Sequence, residues 1–467
     1  DYPVSIDEDY KEPVNYYEDI VCDVIGQVLG ITKVSREANF YDLGGTSLNI
    51  YDVKVMVEKR LNQSIPLEII LGFDKVKDIS SMIKNYVEKT NSKSNNISLV
   101  DELEMYNNII EEKRESNKKY IDNILMTGVT GFVGAYLLKK YLDSFSECTI
   151  HCLVRANNER SGLQRVVDNM KRWKLWKDDY YKHLRIYCAD LSKKRLGLSS
   201  EEFENLSNIV DLICHNGANV NFSLSYNQLK SENVEGTGYI LQLLQQGKKK
   251  EFIYISTISV FSKDDYAEGI VYENRLPQNV NQLRLGYSQS KLVAENIINL
   301  YKEKGYNIKI FRLGRVTGSS KGGEENEDMF YKILELCKKM KLYPDISINF
   351  NGIPVDIVSS LIVYASVSKL DSNTFHIVNP DVNKEIKLSD LFSDCSFERV
   401  DWDTWYLECK ILSEKGDSLA RQVLVSMSEE FDKQKVVIDY SNTMELAHKA
   451  DVKIPNMEKV IKNIINN

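Results

Sequence analysis

A small helical bundle followed by a doubly wound parallel α/β sheet is the fold that this 467-residue sequence predicts. Three patterns predict it. Residues 16–89 carry apolar side chains at helical spacing. From Asn123 onward, short β-rich runs alternate with helical stretches, as parallel strands joined by crossover helices require. The first of those strands runs directly into a turn with glycines three residues apart.

In the first segment, "YYEDIVCDVIGQVLGI" places Ile20, Val24, Val28 and Leu29 on one helical face. "SLNIYDVKVMVEKRL" puts Leu48, Tyr51, Val55 and Leu61 near one stripe, and "DISSMIKNYVEK" steps Ile79, Ile83 and Val87 by four. About 75 residues of such helices can form a small bundle. Residues 1–15 read as a leading linker. The polar run "KTNSKSNN" (Lys89 to Asn96) reads as a second linker, and "EMYNNIIEEKRESNKKYID" as a charged helix, so residues 90–122 join two domains.

The strands of the second domain are "NILMT", "TIHCLV", "LRIYC", "VDLICH", "EFIYIS" and "NIKIFR". Residues 123–318 are therefore expected to form the sheet core. Residues 319–467, more irregular and mostly helical apart from "TFHIV", are expected to form a C-terminal substrate lobe with some core elements.

Composition narrows the class. Hydrophobic residues make up 43% and charged residues 27%, an ordinary globular balance. No apolar run reaches the roughly 18 residues of a membrane span. The net charge is −8, and the first 90 residues hold 16 acids against 10 bases. No coherent basic stretch offers itself to nucleic acid, and the acidic end suits basic protein partners. Eight scattered cysteines lack metal-ligand spacing, which points to reduced thiols and a cytoplasmic setting. The start has no initiator Met and no signal peptide, so the sequence reads as a segment of a longer chain.

The chemistry begins at "TGVTGFVGAYLL". Gly128, Gly131 and Gly134 sit between a strand and a helix, where glycines let the backbone approach a pyrophosphate at the positive helix end. That is the dinucleotide turn of a Rossmann-type sheet. The second strand ends at Arg155, where an NAD enzyme usually carries an acid for the ribose. An arginine suits a 2′-phosphate, with Arg165 about three helical turns on, so NADPH is the expected cofactor. Tyr287 and Lys291 stand four apart on one helical face. A neighbouring ammonium favours a phenolate, which would bring Tyr287 toward a useful range. Thr257, at a strand end, could hold a substrate oxygen.

Together these features resemble an extended short-chain dehydrogenase/reductase. In order and spacing, "TGVTGFVG", "LVRA", "ADL", "HNGANVNF", "NVEGT", "STISV", "GYSQSK", "RLGRVTG" and "PVDIV" are similar to thioester reductase domains. Those are the terminal release domains of nonribosomal peptide synthetases and carboxylic acid reductases. The resemblance implies that Gly128, Thr130, Gly131, Phe132, Val133 and Gly134 cradle the pyrophosphate, and that Arg155 and Arg165 hold the 2′-phosphate. It implies that Asp190 and Leu191 border the adenine, although Ala189 stands where the family more often has Gly. Asn216, Gly217 and Ala218 would line the cofactor, Leu313, Gly314, Arg315 and Val316 would pass the nicotinamide, and Thr257, Tyr287 and Lys291 would be catalytic. His215 reads as structural.

Ser47, in "DLGGTSLNI", has no base in its own domain, since the first histidine is His151. Its position suits a helix cap. "DLGGTSL" also resembles the peptidyl carrier signature, in which that serine bears 4′-phosphopantetheine, though Thr46 replaces the more frequent Asp or His. The resemblance implies a carrier–reductase didomain, no metal, a phosphopantetheinyl transferase, an acyl or peptidyl thioester substrate, and upstream synthetase domains as partners. A monomer is expected, with neither nucleic acid nor membrane bound. The rivals are an epimerase or dehydratase using the same triad, a redox-inactive release domain, and a cofactor-sensing module.

Overall fold

A computed structural model describes residues 10–45, 47–61, 63, 65, 70, 75–91, 97–111, 121–221, 224–267, 269–321, 329–349, 352–380, 385–393, 395–415, 417, 419–420, 423–424, 437–456, 458 and 460–462. The chain divides into two compact units. The first takes in residues 1–96, 332–344 and 400–432, and the second residues 97–331, 345–399 and 433–467.

In the first unit, helices α1 (Tyr16–Leu29), α2 (Ser47–Leu61) and α3 (Val76–Asn91) surround one apolar core. The side chain of Asn15 caps α1 by accepting from the N–H groups of Tyr17 and Glu18. Ile20 and Val24 are buried as their spacing predicts, and so are Ile79, Ile83 and Val87. Of the stripe expected on α2, Leu61 packs half-buried on this core and Val55 is half-buried, while the side chains of Leu48 and Tyr51 lie outside the described residues; Ile50, Val53 and Val57 are buried in addition. Apolar side chains lie on more than one side of that helix, and packing against α1 helps to choose which are buried. The linker expected from Lys89 starts later, since α3 continues to Asn91, and residues 92–96 lie outside the described residues.

Glu18 is almost fully buried, and Arg36 clamps both its oxygens at 2.7 and 2.9 Å. That guanidinium holds the carboxyl below its ordinary range, against the opposing effect of burial. Two further helices of this unit, Met329–Met340 (which begins just before it) and Trp402–Glu414, bury Cys337, Trp405 and Cys409.

The second unit opens with helix α4 (Leu99–Asn107), earlier and shorter than the charged helix expected at Glu104–Asp122; residues 112–120 of that stretch lie outside the described residues. Its core is a seven-stranded parallel sheet: β1 (Asn123–Thr127), β2 (Thr149–Val154), β3 (Leu184–Cys188), β4 (Leu212–His215), β5 (Glu251–Thr257), β6 (Ile308–Leu313) and β7 (Thr374–Ile377). The order across the sheet is β7-β6-β5-β4-β1-β2-β3. The chain thus winds one way from β1 to β3 and the other way from β4 to β7. The crevice between the carboxyl ends of β1 and β4 is where such sheets bind ligands.

Every strand expected from the sequence is present. β7, one of the core elements expected beyond residue 318, pairs in parallel with β6 inside the main sheet. The eight cysteines are free thiols. No helix among the described residues is long and apolar enough to cross a membrane.

Candidate active site

At the switch point, β1 delivers Gly128 into the turn and helix α5 (Phe132–Ser144) leaves it. Gly128 has φ +73°, and a Cβ there would lie 2.7–2.9 Å from Asn216 and Gly217. A Cβ on Gly134 would meet the Gly128 carbonyl oxygen at 1.9 Å, whereas one on Gly131 would meet only that oxygen, at 3.4 Å. Gly128 and Gly134 are therefore required by packing, and Gly131 keeps an open side. Gly131 is also the N-cap of α5, and no side chain caps it. The free N–H groups of that helix end fit an anionic pyrophosphate.

These differences make a prediction. Gly134→Ala should cost about 1–3 kcal/mol of stability through overpacking, read as a lower denaturant midpoint. Gly131→Ala should keep the midpoint while weakening dinucleotide binding.

Neighbouring residues brace the turn. Asn216, just after β4, donates from Nδ2 to the Gly128 carbonyl at 3.3 Å, and the Gly217 N–H donates to Thr127 Oγ1 at 2.8 Å. Ala218 follows half-buried, as are Thr130 and Val133 in the turn itself, and Phe132 packs on Trp173 with centroids 4.6 Å apart.

Asn169 was missed by the sequence reading. From helix α6 (Glu159–Arg172), its Nδ2 donates to the carbonyls of Val129 at 3.1 Å and Gly131 at 3.0 Å, and its Oδ1 accepts from Trp173 Nε1. The available signal was its place one helical turn beyond Arg165.

Arg155 and Arg165 meet beyond the end of β2. Arg165 Nη1 donates to the Arg155 carbonyl, and the Arg155 side chain, 70% exposed, reaches Glu232 Oε1 at 3.4 Å. Burial would raise the Asp190 carboxyl, but hydrogen bonds from Ser192 and the charge of Arg155 hold it below its ordinary range. Leu191 packs where a Cβ on Gly236 would come within 2.7 Å of its carbonyl oxygen.

On the other flank, β5 ends at Thr257, in register with Leu313 of β6. Thr257 Oγ1 lies 3.1 Å from Ser259 Oγ, which accepts from Ser288 Oγ at 3.0 Å. Both serines lie in one hydroxyl chain with Thr257. The Gly314 N–H donates to the Ile377 carbonyl, Arg315 is exposed, and Val316 is half-buried opposite Ile353.

Helix α9 is numbered after α7 (Ser200–Ile209) and α8 (Gly236–Gln245); it spans Gly286–Glu303 and carries Tyr287 and Lys291. Lys291 is buried, donates from Nζ to the Ile255 carbonyl at 2.7 Å, and lies 4.0 Å from the Tyr254 ring centroid. Burial pushes its amine down to about 7, with Glu295 opposing. The expected lowering of the Tyr287 phenol by Lys291 is corrected: burial pushes it up to about 12. Desolvation of the phenolate is the cause. A phenol with that value stays protonated at neutral pH and is available as a proton donor.

His215 bridges Thr127 Oγ1 at 2.8 Å and Thr237 Oγ1 at 3.0 Å. Burial, then Lys291, pushes it down to about 3, so it is a neutral brace between β1 and β4. Ser47 is the first residue of α2, and its side chain lies outside the described residues, as does Thr46.

Comparison with known proteins bears on the family and the fold. Residues 126–362 match the family described as male sterility protein, and residues 19–83 match a phosphopantetheine attachment site. The chain is 31% identical over 449 residues to a linear gramicidin synthase chain of Brevibacillus parabrevis, covering 93% of this chain and 9% of that one. It is 31% identical to the L-2-aminoadipate reductase large subunit of Candida glabrata, covering 79% and 28% respectively. The chain therefore spans less than a third of either relative.

Among solved structures, the terminal R domain of the myxalamid PKS-NRPS pathway matches with TM-score 0.69 and 28% identity, over 79% of this chain and 97% of that one. A thiolation-reductase di-domain from an archaeal non-ribosomal peptide synthetase matches in fold, with TM-score 0.64 and 21% identity over 98% of both chains. With the glycine turn, the sheet order and the family match falling on the same stretch, the chain belongs to the male sterility protein family of nicotinamide-dinucleotide-binding domains, carried here behind a phosphopantetheine attachment domain.

Proposed function

We propose that the chain is the terminal release module of a nonribosomal peptide synthetase, which reduces an acyl or peptidyl thioester carried on Ser47 to an aldehyde with NADPH. One observation carries the reading: a carrier domain and a dinucleotide-binding reductase fold lie on one chain, with Thr257, Tyr287 and Lys291 in place on β5 and α9. A carrier has no purpose beside an epimerase, and a redox-inactive domain has no use for the tyrosine and lysine. The relatives named synthase and reductase support the same reading.

When bound, NADPH supplies the hydride. Gly131 and the capless start of α5 would receive its pyrophosphate, and Arg155 with Arg165 its 2′-phosphate. Thr257 and Tyr287 would donate hydrogen bonds to the oxygen of the thioester carbonyl, where negative charge develops. Tyr287 would then give its proton to that oxygen. One N–H of Lys291 is fixed on the Ile255 carbonyl; its others would serve the nicotinamide ribose and the phenol. The resulting hemithioacetal collapses to aldehyde and free pantetheine thiol. The carrier arm raises the local concentration of substrate at the reductase without new contacts. Upstream synthetase domains and a phosphopantetheinyl transferase would be the partners of a monomeric, cytoplasmic module.

Loading the carrier with a panel of acyl-pantetheine groups, adding NADPH and identifying released products by mass spectrometry tests the reading. Aldehyde appearing only with NADPH is expected; free acid or macrocycle in its place would overturn it. Cofactor choice has its own test. A hydrogen bond to a charged group is worth about 1.5–3 kcal/mol, so Arg155→Ala should weaken NADPH roughly ten- to hundredfold and NADH little. Equal losses in titrations with the two cofactors would remove Arg155 from the 2′-phosphate.

A further inference from the structure

We propose that Glu295, locked in place by Arg312, is a positioning residue for Lys291: through Ser256 it ties the catalytic helix to the strand that ends in Thr257. This rests on the reading that Tyr287 and Lys291 serve a reduction.

The geometry starts one helical turn after Lys291. Glu295 has no exposed surface, and its Oε2 accepts from Ser256 Oγ at 2.6 Å. Ser256 stands between Ile255, whose carbonyl holds Lys291, and Thr257. Two bonds therefore stitch α9 to the end of β5, Lys291 to Ile255 and Glu295 to Ser256. The other carboxylate oxygen is gripped by Arg312 of β6, from Nε at 2.9 Å and Nη2 at 2.5 Å.

Arg312 is itself 2% exposed and uses its remaining donors on the carbonyls of Glu273 and Arg275 and on His376 Nε2. His376 in turn donates from Nδ1 to the Asp439 carbonyl. With every guanidinium donor used, neither partner of the pair can swing toward a new position.

Charge completes the argument. The titratable and charged groups around Lys291 are Tyr254 of β5, His215 of β4, Tyr287 and Glu295 one helical turn to either side on its own helix, and, paired with Glu295, the Arg312 cation of β6. Burial pushes both phenols up and the imidazole down, so all three are neutral near pH 7. Glu295, accepting three hydrogen bonds from charged or hydroxyl donors, is the one anion among these groups. Loss of an anion lowers the pKa of a nearby amine.

Glu295→Gln alone would strand the Arg312 charge in the core, so the test uses Glu295→Leu with Arg312→Met, which removes both charges together. The Lys291 amine is titrated by NMR with ε-carbon-labelled lysine, its signal assigned by loss in Lys291→Arg. The midpoint should fall by at least about half a pH unit, and the high-pH limb of thioester reduction should fall with it. Ser256→Ala, which keeps both charges, should lower kcat with that midpoint unmoved. An unmoved midpoint in the double variant, or wild-type kcat in Ser256→Ala, overturns the proposal. A wild-type chain that reduces no thioester at all would instead overturn the functional reading, and the NMR midpoint would still decide the role of Glu295.

Discussion

Ser47→Ala is expected to leave the chain with no pantetheine arm at all. Incubated with coenzyme A and a phosphopantetheinyl transferase, the wild type should gain the mass of one arm and the variant none. The physical case lies in how the fold presents this position. The turn before it is closed by backbone bonds from Leu43 to Asn39, Gly44 to Tyr41 and Gly45 to Phe40. A Cβ on Gly45 would lie 2.4 Å from the buried Phe40 ring, so only glycine lets the chain pass there. α2 then begins at Ser47 with no acidic residue in its first turn, so its positive end is free to favour a phosphodiester. Reduction of a thioester delivered in trans on free pantetheine should survive the substitution, since the second unit is untouched. Mass added to the variant would remove the carrier reading.

What the sequence made legible follows from how local each constraint is. The seven strands could be read because buried parallel strands are short, continuous and β-branched, as "TIHCLV" and "NIKIFR" are. The glycine turn was legible because Gly134 meets the Gly128 carbonyl only six residues away and the positive φ of Gly128 is a local backbone demand, although the atoms that crowd Gly128 belong to distant Asn216 and Gly217. The burial of Ile50, Val53 and Val57 on α2 was not, because it is decided by the rest of the core, α1 included.

The same reasoning explains the site. Arg155 and Arg165 were singled out from their places beyond a strand, and the Arg165 side chain donates to the Arg155 carbonyl. Asn169 and Glu295 were not, because their partners lie 40 and 39 residues away, in the glycine turn and at Ser256. Nothing local marks a side chain whose role is to hold a distant carbonyl or hydroxyl. The direction of the Tyr287 shift was also out of reach, since burial is a property of the whole fold.

Tyr287→Phe is expected to cut thioester reduction by about 10²–10⁴, the usual contribution of a positioned proton donor. The change removes one hydroxyl and keeps the ring, so the fold and NADPH affinity should stay near wild type. Lys291→Ala should differ. Its Nζ holds the Ile255 carbonyl and sits over the Tyr254 ring, so its loss opens a buried polar gap at the end of β5. That variant should lose turnover and also show a clearly raised dissociation constant for NADPH, measured by fluorescence titration. The contrast separates chemistry from binding: a residue acting only on the reacting oxygen lowers kcat alone, and one that also holds cofactor moves both. The pH profile adds a second check. With the phenol pushed up to about 12, it remains protonated across the physiological range, so the wild-type rate should not fall at high pH through tyrosine ionisation until well above neutrality. Any earlier limb belongs to Lys291, whose amine is pushed down to about 7, and should persist in the residual activity of Tyr287→Phe. Near wild-type reduction by Tyr287→Phe would sink this mechanism, and the proton would then have to reach the oxygen through Thr257 and the Ser259–Ser288 hydroxyls beside it.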